Sequence, residues 1–162
     1  MAKANHLERK LQRAVKEIPG KALQIMEVEG LSFIKKNFRD QGFNDGGLKR
    51  WQPRKTTDKR GRDITRYRTN RVGRAGNLNR YGSKIKGRPV LTGHNTGGNK
   101  LRNSFLGIRS SNKVELRTHK EYAEVHNEGE GNMPQRQFIG DSPELESAIK
   151  AKVIKELDKI FK

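Results

Sequence analysis

The chain of 162 residues carries 36 Lys and Arg against 18 Asp and Glu, a formal net charge of +18, with 31% hydrophobic residues and no cysteine. Globular chains are about 45–50% apolar, so one core does not bury this whole length, and part of it must be solvated or ordered by a partner. The lack of cysteine excludes disulfide frameworks, thiolate zinc sites and thiol nucleophiles, and is compatible with assembly in the cytosol.

At the N-terminus, Leu7, Leu11, Ala14 and Ile18 recur at helical spacing, and Leu23, Met26, Phe33 and Phe38 continue the stripe after Pro19-Gly20. The pattern predicts two helices, or one kinked helix, over residues 4–38, with Pro19 as the break because it lacks an amide donor. Residues 49–102 follow with a different composition. They hold seventeen Lys and Arg against Asp58 and Asp63, which is fifteen of the chain's eighteen net positive charges. With eleven hydrophobic residues and eight glycines in 54 positions and no sustained apolar period, this stretch is expected to be a loop-rich arm that does not fold alone.

Beyond it, residues 104–109 and 113–118 flank a turn at Ser110-Ser111-Asn112, and Val114 and Leu116 alternate with charges, a hairpin pattern with one buried face. Residues 121–126 predict a short helix ended at Gly129, and Gln137-Phe138-Ile139 a short third strand. Asp141-Ser142-Pro143-Glu144 is a helix start: a capping oxygen, proline in the first turn and acids at the positive end of the dipole. Leu145, Ile149, Val153, Leu157 and Ile160 then form one stripe, with lysines accumulating towards the C-terminal end. The expectation is a single α+β domain over 1–162, its terminal helices packed on a small antiparallel sheet, with 49–102 as a basic insertion. No apolar run approaches the about 20 residues of a membrane span or the about 7–15 of a secretory h-region, so a soluble chain that is not Sec-exported is expected.

Motifs for catalysis fail on inspection. Gly93 and Gly98 suggest a phosphate loop, but Asn99, Lys100 and Leu101 stand where Lys and then Ser or Thr are required, and no apolar strand precedes Gly93. His6, His94, His119 and His126 fit no familiar metal spacing. Glu121, Glu124, Glu128 and Glu130 sit in a polar stretch that reads as a solvated face, and no serine lies in a nucleophile elbow. A non-enzyme with no cofactor and no metal is expected.

Five short elements follow one another in a fixed order: Phe38 with Gly42-Phe43 and Gly46-Gly47; Trp51-Gln52-Pro53-Arg54; Val90-Leu91-Thr92-Gly93 with Leu101-Arg102-Asn103-Ser104; Tyr122-Ala123-Glu124-Val125-His126 with Gly129; and Pro134-Gln135-Arg136-Gln137-Phe138-Ile139-Gly140 before the last helix. From about residue 38 to the end, this order resembles the Mu-like phage virion morphogenesis, or tail completion, family. The sequence departs from the family pattern in the Gly/Asn-rich residues 94–100 and in the strongly basic residues 55–88. The resemblance implies a virion protein assembled in the host cytoplasm, acting at the head-proximal end of the tail. It further implies a ring of six subunits that meets the tail tube and the neck or connector proteins and permits joining to the DNA-filled head.

The matched residues also have local readings. Trp51 reads first as a packing anchor at the base of the arm and second as a platform for stacking bases. Gly93 serves a turn, Leu101 belongs to the motif core, and Ser104 caps or pairs locally. Tyr122 and His126, four apart, share a helical face and are expected to pack on the sheet with their polar tips hydrogen-bonded. Arg136, between Pro134 and Phe138, bridges to a carboxylate either within the subunit or across a subunit boundary.

For the arm, with Arg60, Arg62, Arg66, Arg68, Arg71, Arg74 and Arg80, three roles stay open: a solvated loop, a contact with neighbouring subunits or acidic partner proteins, or a contact with the phosphate backbone of packaged DNA. The arginines have no recognition helix to present them to base edges, so sequence-specific reading is not expected. A different class is a free-standing DNA- or RNA-binding protein, a small folded body with an arginine-rich arm in which Tyr67 and Tyr81 supply rings for stacking on bases.

Overall fold

The computed structural model describes residues 2–54, 60, 77–85, 88–92 and 98–162. Its order is α1 (Ala2–Asp40), β1 (Gly42–Asn44), β2 (Leu48–Arg50), α2 (Arg80–Ile85), a 3-10 turn (Leu101–Asn103), β3 (Phe105–Arg109), β4 (Val114–Thr118), α3 (Tyr122–Glu124) running into a π turn (Val125–Gly129), and α4 (Pro143–Phe161). The architecture is α+β, with the two long helices packed against two-stranded antiparallel hairpins.

Pro19 does not divide α1, which runs as one helix from Ala2 to Asp40. An interior proline removes one hydrogen bond and costs about 3 kcal/mol in an isolated helix. Here α4 lies antiparallel along α1 and ties it on both sides of that residue. The Lys10 ammonium donates to the Phe161 carbonyl at 2.8 Å, and beyond Pro19 come pairs Lys21 with Glu156, Glu29 with Lys152, and Lys36 with Glu144. Such surface pairs contribute little singly. Apolar burial along α4 contributes more: Leu145, Ile149, Val153 and Leu157 are half-buried and Ile160 is buried. The start of α4 follows its sequence signal: Ser142 is the cap, its Oγ accepting from Leu145 N–H, with Pro143 in the first turn.

The hairpin of β3 and β4 pairs Phe105 with Thr118 and Arg109 with Val114, as the alternation predicted. It lies on α1 at Gly30, where an added Cβ would stand 2.7 Å from a Leu116 methyl. The first hairpin, with Gly42 opposite Arg50 and Asn44 opposite Leu48, was not predicted. Its strands have three residues each and show no alternation: β1 is buried throughout and β2 exposed throughout.

One expectation is corrected. Gln137-Phe138-Ile139 joins neither sheet, because the Phe138 and Ile139 amides donate to the side-chain oxygen of buried Asn127 at 3.0 and 3.1 Å. Those donors are therefore not offered to a strand neighbour. The basic stretch also contains a helical turn, α2, whose Gly82 amide donates to the Asn79 side chain at 2.9 Å. The short helix predicted over 121–126 is present but widens after Glu124 into the π turn.

The core gathers Ile34, Phe38, Trp51, Leu101, Ala123 and Phe138, with Val90, Leu91, Phe105, Leu116 and Ile139 around them. Phe38 stacks on Phe138 with ring centroids 5.1 Å apart and meets Trp51 edge-on at 5.4 Å. Beside it runs a buried polar chain. Asn37, with no exposed surface, donates to the Phe138 carbonyl at 3.1 Å and accepts from the Asn44 amide and side chain at 3.1 and 2.8 Å. Ser142 Oγ then donates to the Asn44 carbonyl at 2.7 Å, so one chain of bonds joins α1, β1, the Phe138 segment and the start of α4.

Candidate functional site

The features singled out in the sequence converge on the place where the basic stretch leaves the folded body. Gln41, immediately after α1, adopts a left-handed backbone, φ 55°, which ends the helix and turns its groups outward. Its carbonyl accepts from the Trp51 amide at 2.8 Å. Its side chain accepts from the Val90 amide at 2.6 Å and donates to the Val90 carbonyl at 3.2 Å and the Phe38 carbonyl at 2.7 Å. One residue thus holds the departing and returning ends of the basic stretch together. Gln41 drew no attention in the sequence, since nothing local distinguishes it from a surface glutamine.

Trp51 is buried and donates through its indole to the Gln137 carbonyl at 2.7 Å, which agrees with a packing anchor and leaves no open face for bases. Leu101 and Phe138 are buried in the same cluster. Ser104 pairs locally: its Oγ donates to the Leu101 carbonyl at 2.8 Å and meets Thr118 Oγ1 at 2.5 Å. Motif residues spread over a hundred positions of sequence therefore meet in one packed group.

Tyr122 and His126 meet edge-on with ring centroids 6.0 Å apart, but their polar tips do not behave as expected. Tyr122 is 47% exposed. His126 Nδ1 is sealed from solvent without a hydrogen-bond partner. The chain widens into the π turn at Val125, and Arg136 N–H donates to the His126 carbonyl at 2.7 Å. Arg136 is 7% exposed, and its Nε donates to the Gln52 carbonyl at 3.2 Å, at the root of the basic stretch. Among the described residues no carboxylate pairs with Arg136; Asp58 and Asp63 lie outside them.

Burial first, and the nearby Arg136 cation second, hold the His126 pKa below its ordinary value of 6.5. An unfolded chain takes up this proton as pH falls through about 6.5, whereas the folded chain resists it, so the contribution to stability is full above that pH and is lost below it. Urea midpoints are expected to drop between pH 7.5 and 5.5, and His126→Gln is expected to reduce that drop. Equal pH slopes for the two proteins would exclude this origin.

Arg80 opens α2 and is exposed, and Arg60 is exposed at a turn. Arg62, Arg66, Arg68, Arg71, Arg74 and Gly93 lie outside the described residues, as do His94 and Tyr67. Among the described residues, no group of three or more His, Asp or Glu is placed to hold a metal ion, and no helix is long and apolar enough to cross a membrane. The unpaired apolar surface is considerable: Leu106 and Ile108 on β3, and Leu7, Leu11 and Val15 on α1, are all exposed. No family model, curated protein or solved structure matches the chain.

Proposed function

We propose that this chain is a non-catalytic bacteriophage tail completion or head-to-tail joining protein, working as a subunit of an oligomeric ring. The observation that supports the reading most is the convergence of Phe38, Trp51, Leu101, Ala123 and Phe138, drawn from the five sequence elements, into one core beside the clamped root of the arm. The exposed apolar side chains of α1 and β3 agree with a subunit that buries more surface in assembly. A closed ring repeats each weak contact around its symmetry, so it can hold tail tube on one face and neck or connector proteins on the other.

In this reading the arm is the joining element, reaching neighbouring subunits and acidic partner proteins, or the DNA backbone in the lumen. Because Gln41 holds residues 51 and 90 together, joining residue 54 to residue 89 should leave the body intact. That deletion of residues 55–88 is expected to keep the circular dichroism spectrum and cooperative melt of the body while abolishing joined, infectious particles. Normal particles from the deletion would reject a role for the arm.

The charge of residues 49–102 favours a second reading, a DNA- or RNA-binding protein with a small body. It predicts that nucleic-acid affinity falls with salt at a log-log slope of about −0.9 per duplex phosphate contact and that no ring forms without nucleic acid.

A further inference from the structure

His126 has one ring nitrogen cut off from both water and protein. Among the described residues its Nδ1 alone is a sealed side-chain atom without a hydrogen-bond partner, whereas Nε2 makes no hydrogen bond and is not sealed. The neutral ring fits this setting by carrying its proton on Nε2 and leaving Nδ1 bare. A protonated ring has no such choice, because both nitrogens then carry hydrogen and the one on Nδ1 has no acceptor. The groups around the ring do not relieve this. Burial, and after it the Arg136 cation from the segment before α4, oppose the proton. Tyr122 of α3 meets the ring edge-on. On the same stretch Glu128 accepts from the Asn127 side chain at 2.6 Å, and the exposed Glu121, Glu124 and Glu130 make no bond to Nδ1.

The same residue is tied to the root of the basic stretch. Its carbonyl accepts from the Arg136 amide at 2.7 Å, and Arg136 Nε donates to the Gln52 carbonyl at 3.2 Å, one residue beyond Trp51. The π turn that carries His126 is a five-residue irregular element, of the kind that opens locally at lower cost than a long packed helix. We propose that His126 is a pH-operated catch on the root of the basic stretch: taking up a proton at Nδ1 opens the π turn and releases the hold of Arg136 on Gln52. Closed, the turn excludes the proton; opened, the ring titrates near its ordinary value of 6.5. Opening is therefore favoured as pH falls below that value, by up to about tenfold between pH 7.5 and 5.5. Gln41 still holds Trp51 and Val90, so the catch acts at Gln52 and leaves the core closed.

The catch holds for a ring subunit and for a nucleic-acid-binding protein alike, so its test is independent of that choice. Hydrogen exchange of the full chain is followed by NMR at pH 7.5 and 5.5 and corrected for intrinsic exchange rates. In wild type the Arg136 amide and its Nε–H are expected to lose protection several-fold, up to about tenfold, at pH 5.5, and to exchange faster than the Val153 and Leu157 amides of α4 at both pH values. In His126→Gln their protection is expected to be the same at the two pH values. An equal loss in His126→Gln, or a His126 ring that titrates at or above 6.5 in the folded wild type, would overturn the inference. Arg136 exchanging no faster than the α4 amides would also overturn it, because the whole body and not the turn would then be opening. Should His126→Gln fail to fold, the ring titration and the comparison with α4, both made on wild type, decide the matter.

Discussion

Phe138→Ala is expected to remove most of the stability of the folded body. Phe138 is 1% exposed, stacks on Phe38, meets Phe105 edge-on at 5.5 Å, and offers its backbone to Asn37 and Asn127. Truncating a buried phenylalanine costs about 3–5 kcal/mol through lost transfer free energy and the cavity left behind. A whole domain is stable by only about 5–15 kcal/mol. In urea titrations Phe138→Ala should therefore show a much lower midpoint or no folded baseline, and Phe138→Leu a smaller loss. A change under about 1 kcal/mol for the alanine variant would show that the aromatic cluster is not the centre of the core.

Asn37→Ala is expected to rank next. Its side chain is the only link between the Phe138 carbonyl and the Asn44 amide among the described residues, and replacing it strands both in a buried place and leaves the Asn44 side chain donating to Asp40 alone, at 3.3 Å. Each stranded group costs about 1–3 kcal/mol, so a loss of about 3–4 kcal/mol is expected by denaturant unfolding. Asn37→Asp should be nearly as damaging, because it keeps the acceptor but replaces the donor to Phe138 and buries a charge. Combining Asn37→Ala with Asn44→Ala should cost less than the sum of the single changes, since each removes part of what the other leaves unpaired.

The parts of the fold that were legible in the sequence are those fixed by local chemistry. Ser142-Pro143 caps α4 wherever that helix packs, and the alternation around Val114 and Leu116 needs only one buried face to become a strand. The parts that were not legible depend on distant partners. Pro19 reads as a break until α4 is laid across it, and Gln137-Phe138-Ile139 reads as a strand until Asn127 takes its amides. Asn37 went unread in the sequence, although a polar residue among Phe33, Ile34 and Phe38 on one helical face is the signal by which a buried hydrogen-bond junction could have been found.

The site divides in the same way. Trp51 was recognisable as an anchor from its size, Leu101 and Phe138 were singled out only through the family resemblance, and the three are packed together. The clamp by Gln41 was invisible, because it pairs residues about fifty positions apart through an ordinary side chain. For Arg136 the sequence left two bridges open, and that no carboxylate of the described residues meets it follows only from the folded arrangement. Tyr122 and His126 were correctly placed as neighbours, but their four-residue spacing assumed a regular helix where the chain makes a π turn.

As proposed, the polypeptide becomes a closed multi-subunit ring without help from nucleic acid. Native mass spectrometry of nuclease-treated protein, sprayed at low and at high ammonium acetate concentration, distinguishes the ring from its alternative. One dominant assembly, six subunits by the family resemblance, is expected to keep its mass at both concentrations. A monomer at both, shifting to higher mass only when DNA or RNA is added, would refute the ring.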